Sequence, residues 1–270
     1  MSLSHNITQV SRYGFAIGMV GLGVTSAIWG SFAMQWQPVP ASLPVQLSYI
    51  SNAVVIVAGL GLLHDRTRRW SAALIAFIFA LWIVALKLPE AAGLVGKITK
   101  VTSWIGFVTP LSEEFAIVAG AWVLFGLQRE NLAWRTTWTV ARILFGLACV
   151  QFGLSHFAFA EFTAGMIPDW IPGRLPLAYL TGAGHLLAGL AVLAGPMLPR
   201  LWRVAAGLET LMMTSFVVLV HIPMILGSKP ANLQISWTLI FIAILLASSA
   251  AAITAQASKA VEDDSTLRGG

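Results

Sequence analysis

Charge is what this 270-residue sequence has least of: Asp, Glu, Lys and Arg together make up 10% of it, against about a quarter in soluble domains. With 57% hydrophobic residues, a water-soluble fold is excluded, because so few charges cannot screen that much apolar surface. A single cysteine, Cys149, falls inside an apolar run. That excludes an intrachain disulfide and a cysteine-based metal site, and it leaves Cys149 the plain role of a small core residue. Also missing are a Gly-rich phosphate loop with its Lys, a Ser nucleophile elbow and a haem-attaching Cys-x-x-Cys-His. The basic excess, net +5 with a sequence pI near 9.8, is divided into short clusters between apolar runs. No continuous basic face exists for nucleic acid, and none is expected as a partner.

What is present is hydrophobic length, with a mean hydropathy of +0.81. Eight stretches, at 13–34, 44–63, 70–88, 101–127, 138–160, 176–196, 201–226 and 233–257, are each long enough to cross about 30 Å of hydrocarbon as helix. In lipid the backbone must satisfy its own hydrogen bonds, and these runs are too long and too uniformly apolar for barrel strands. The expectation is an all-α, polytopic transmembrane bundle of eight helices with the lipid bilayer as its main partner. Arg66, Arg68, Arg69, Arg129, Arg135, Arg200 and Arg203 fall in alternate connections, with Arg12 and Lys259 beside the first and last helices. The positive-inside rule then puts both termini in the cytoplasm and the chain in a bacterial inner membrane. The polar N-terminus leads into a run without a small-residue cleavage site, so the first helix reads as retained.

An internal repeat runs through the chain. Trp29-Gly30-Ser31-Phe32, a Pro-rich loop at 36–40, Ala58-Gly59-Leu60, an Arg-rich turn with Trp70, and Leu86-Lys87-Leu88-Pro89 make up the first copy. Ser155-His156-Phe157-Ala158, a Pro-rich loop at 167–172, Ala188-Gly189-Leu190, a turn with Trp202, and Val220-His221-Ile222-Pro223 follow in the same order about 130 residues later. Four helices per copy make the two units parallel. The expected organisation is 1–130 and 131–257 as two four-helix repeats and 258–270 as a disordered cytoplasmic tail. The second copy, through His156-Phe157-Ala158-Phe159-Ala160-Glu161-Phe162, Pro168-Asp169-Trp170-Ile171-Pro172 and 179–190, resembles the DoxX-like family of small four-helix bacterial membrane proteins. That resemblance implies a helical bundle and, through relatives linked to quinone-coupled oxidation, a redox association.

Ionisable groups within hydrocarbon are costly and therefore functional suspects. His185 lies mid-helix, His156 and His221 near the outer ends of their helices, and Glu209 toward the cytoplasm; the first-copy counterparts of His185 and His221 are Val55 and Lys87. By depth, His156 and His221 are the pair expected to meet. Glu161, Asp169 and Arg174 are expected in the same outer layer. Imidazole is both a ligand and a proton exchanger, so quinone, haem or metal are the cofactors weighed. The plainer reading of each histidine, and of Glu209, is an interhelical hydrogen bond. Glu113 and Glu114 follow Pro110, which reads as the start of the fourth helix, with both acids in its first turn; an acid lining an outward cavity is the alternative. The tryptophans of the Pro-rich loops read as interfacial anchors, and Gly14-x-x-x-Gly18 as a close-packing face.

The expected cofactor-binding residues are His156, His185, His221, Glu161 and Glu113, with no catalytic or metal-binding residue assigned. The expected function is an accessory or binding component holding a lipophilic or redox-active ligand between helices near the outer leaflet, with a membrane protein as a second partner. Alternatives are a quinone-coupled oxidoreductase subunit and a small-solute transporter.

Overall fold

The computed structural model describes residues 2–127 and 132–268; Arg129 and the closing glycines lie outside them. The described residues are helical, without a strand. In order come α1 (Leu3–Ile28), α2 (Leu47–Leu60), α3 (Arg68–Trp82), α4 (Leu88–Leu94), α5 (Val101–Gly126), α6 (Leu132–Ala158), α7 (Ala160–Met166), α8 (Arg174–Ala194), α9 (Pro199–Phe216), α10 (Ile222–Gly227) and α11 (Leu233–Arg268).

Six helical spans among the described residues are long and apolar enough to cross a membrane, not eight. The two shortfalls have physical causes. The 14 residues of α2 rise only about 21 Å, and Arg12 with the glycines at 14, 18, 21 and 23 dilutes the apolar character of α1. Both nonetheless pack into the bundle, α1 along α11 and α2 along α1. A Cβ on Gly14 would meet Ser248 Oγ at 2.1 Å, and one on Gly18 would meet Leu245 Cγ at 2.6 Å. The glycine face is therefore filled from within the chain.

Three expectations about helix limits are corrected. First, Pro110 lies inside α5, which is continuous from Val101 to Gly126. A proline in mid-helix withholds the N–H that the carbonyl four residues earlier, Gly106 O, would accept; one residue before it, Ile105 O accepts from Gln151 Nε2 at 2.9 Å and from Thr109 Oγ1 at 2.8 Å, which ties this turn of α5 to α6. Second, α11 continues to Arg268, so the segment read as a disordered tail is helical through that residue. The Ser4 hydroxyl, near the start of α1, donates to Glu262 at 2.8 Å, which brings the two ends of the chain to one end of the bundle. Third, Trp36 is not an interfacial anchor: it is fully buried, whereas Trp170 of the second loop is 68% exposed.

Two devices recur at corresponding places. Arg12 donates to the carbonyls of Leu62 and Leu63, and Arg142 donates to those of Val192 and Leu193. Each guanidinium thus covers carbonyls near the end of a neighbouring helix that would otherwise lack donors. Residues 83–87 and 217–221 each widen into a π turn, closing on Lys87 and His221. Pro89 and Pro223 follow two residues later. A proline withholds the N–H that the carbonyl four residues earlier needs, and a π turn absorbs the mismatch.

Candidate functional site

A cavity of about 610 Å³ opens among α5, α6, α7, α8, α9 and α11, and His156, His185, His221 and Glu113 all line it. Four of the five expected site residues therefore share one chamber, brought there by four different elements. Glu161 does not: it is exposed on α7. Asp169 and Arg174 also stay outside, paired with each other at the surface.

The floor of the chamber is a buried polar line. His185 Nδ1 lies 2.8 Å from Glu209 Oε1, with the two side chains 1% and 0% exposed. Cys149 Sγ stands 3.7 Å from the same oxygen. Glu209 Oε2 has no hydrogen-bond partner. Holding a carboxylate or an imidazole in hydrocarbon is costly alone and tolerable when paired, which explains why the two occur together on facing helices.

Above this pair, His156 and His185 meet with ring centroids 4.9 Å apart. His156 Nδ1 lies 3.0 Å from Thr181 Oγ1 and 3.3 Å from Ala178 O. Because the Thr181 hydroxyl itself donates to Leu177 O at 2.9 Å, Nδ1 is the donor and Nε2 is left as an acceptor. Phe216 stacks on His156 at 6.1 Å and stands edge-on to His185 at 5.7 Å, and Phe152 is edge-on to His185 at 5.8 Å.

The meeting of His156 with His185, rather than with His221, corrects the depth argument. A Cβ on Gly182 would lie 2.8 Å from His156 Cβ, and one on Gly153 would lie 2.8 Å from Gly182 O. These two glycines let α6 and α8 cross almost backbone to backbone, which draws the rings together. His221 enters from its π turn with Nδ1 unpartnered. Glu113 enters from mid-α5, where its Oε2 accepts from Trp36 Nε1 at 2.6 Å. Among the described residues no three His, Cys, Asp or Glu side chains are grouped to hold a metal ion.

Sequence reasoning missed one residue at the site, one anchor outside it and one pairing. Trp36 reads as a loop anchor, but it sits in a short helical turn at 34–36, begun by the left-handed Met34 at φ 48°, that packs against α5. Arg142, an anchor outside the chamber, was passed over because it sits inside an apolar run; its spacing from Arg12, the same as that between the motifs of the expected repeat, was the available signal. The Glu209–His185 pairing had no local signal, since the two residues lie on different helices.

The family model described as a domain of unknown function (DUF8561) matches residues 145–255, the stretch that carries most of the chamber. The fluoride-specific ion channel FluC 2 of Halobacterium salinarum is 29% identical over 108 residues, 40% of this chain and 84% of that protein. No solved structure matches. These findings overturn the DoxX-like resemblance: the matching family model and the curated relative both belong elsewhere, and the motifs quoted for it are helix-packing and loop patterns that unrelated membrane bundles share. The chain is a multi-pass helical membrane protein, similar over part of its length to an ion channel.

Proposed function

We propose that this protein admits a small solute, of the size of a simple anion or weak acid, into the second-half chamber and passes it across the membrane. The observation that carries the reading is the convergence of His156, His185, His221 and Glu113 on one cavity. Buried polar groups in a bilayer mark solute and proton paths, and here they continue beyond the chamber. Below Glu209, the Thr210 and Thr254 hydroxyls are 3.0 Å apart, and Gln256 and Ser258 are buried further along α11. The fluoride channel relative supports the class of activity. The π turn under His221 is a further mark of a working site, because such turns concentrate at functional positions.

The same reading takes 1–130 and 131–257 as duplicated units, supported by the matched arginine anchors and π turns about 130 residues apart. It places both termini on the cytoplasmic face of an inner membrane, on the strength of the arginine-bearing turns and the Ser4–Glu262 bond.

The test is flux from proteoliposomes of the full chain loaded with fluoride, and separately with chloride and formate. Flux of at least one above protein-free vesicles is expected. Its absence for all three would overturn transport and favour a second reading, suggested by the phenylalanines of the lining: a chamber that holds a lipophilic ligand such as a quinone, identified by mass spectrometry of what copurifies.

A further inference from the structure

Next to the chamber along α5, and sharing Glu113 with it, lies a buried ionic cluster. Glu114 is fully buried, and neither carboxyl oxygen has a hydrogen-bond partner. Its electrostatic neighbours are Lys87 at the end of the first π turn, Glu90 on α4 and Glu113 beside it on α5. Lys87 is 3% exposed. Its ammonium reaches Glu90 Oε2 at 3.4 Å and lies 5.8 Å over the Phe107 ring. The basic residues of α3, Arg68 and Arg69, are at its other end, beside Asp65 and Phe125.

The charges do not balance. Three carboxyls face one ammonium, and a surplus of negative charge inside hydrocarbon must be neutralised. Glu90 already shares the lysine and is 39% exposed along its side chain, and Glu113 is stabilised by the Trp36 N–H. Glu114 alone has nothing to stabilise an ionised form at hydrogen-bond range, so the neutralising ligand belongs on it. The smallest cation, a proton, fits without any coordination shell.

We propose that Glu114, set against Lys87, is a proton-binding site that exchanges with solution, and that its charge is felt in the chamber through Glu113 one residue away. The first half would then carry a proton where the second half carries the solute. The proton site stands on its own geometry; only its coupling to flux rests on the transport reading.

Carbodiimides attack protonated carboxyls in apolar surroundings, so dicyclohexylcarbodiimide labelling of the full chain in detergent, read by peptide mass spectrometry, reports the proton directly. Glu114 is expected to be labelled at low pH, with labelling falling about tenfold per pH unit once the carboxyl ionises. Glu114→Gln, which keeps the shape, should abolish that adduct and also remove a protonated-carboxyl band from the infrared difference spectrum between low and high pH. Glu114 unlabelled at every pH, or labelled without pH dependence, would overturn the site. If labelling behaves as expected but Glu114→Gln leaves the pH profile of flux unchanged, the site stands and its coupling falls. If no solute is carried at all, labelling still decides the site.

Discussion

The two halves of this bundle use the same anchors around different interiors. In the first half Arg12 binds the carbonyls of Leu62 and Leu63, and in the second Arg142 binds those of Val192 and Leu193. Val55 is 2% exposed where the second half has His185 at 1%, and Lys87 closes the π turn that His221 closes opposite it. The second half thus has a chamber floored by an imidazole–carboxylate pair, and the first has an apolar core flanked by a lysine and acids. The two regions share these anchors and turns and differ in the side chains around them, so function is to be argued from those side chains and not from the fold.

That contrast can be broken from its strongest point. Glu209→Ala should cost about 3–5 kcal/mol, because it strands His185 without its partner in a dry interior; thermal unfolding in detergent measures it. Restoring balance by replacing both partners, His185→Val with Glu209→Ile, makes the second half resemble the first. Stability should then return to within about 1–2 kcal/mol of the parent, since well-packed apolar residues of similar shape replace both partners of a buried hydrogen-bonded pair at little cost.

Arg12→Ala and Arg142→Ala should each cost about 1.5–3 kcal/mol for lost charged hydrogen bonds to carbonyls. Near-equal losses would sharpen the parallel between the halves; a loss confined to one would break it. Gly120→Ala should cost about 1–3 kcal/mol, because the added Cβ would stand 2.5 Å from Ser249 Cα on α11. Asp169→Ala, which removes the acid from an exposed pair with Arg174, should change stability by no more than about 0.5 kcal/mol.

Hydrophobic run length revealed the all-helical membrane class and most helix positions, because the need to satisfy backbone hydrogen bonds in lipid leaves few alternatives. It misplaced what depends on partners. Pro110 reads as a helix start until the turn before it is seen held to another helix, by Gln151 donating to Ile105 O. The closing acids read as a loose tail until Ser4 is seen to bind Glu262. In the site, the cost of burying ionisable groups singles out His156, His185 and His221, and the structure puts them on one cavity together with Glu113, which reads first as a helix-start acid. Glu161 was drawn in by proximity in sequence alone and lies outside. The pairing of His185 with Glu209 and the crossing through Gly153 and Gly182 depend on which helix faces meet, and periodicity along one helix carries no information about its neighbour.

The most direct measurement is flux, of whichever of fluoride, chloride and formate the parent carries above protein-free vesicles, through proteoliposomes of the folded His185→Val, Glu209→Ile variant, beside the parent and a Val55→Ile control in the first half. Flux at the level of protein-free vesicles in the double variant, with the control like the parent and all three eluting as single species, is the expected result. Parental flux in the double variant would contradict a solute path through the second-half chamber.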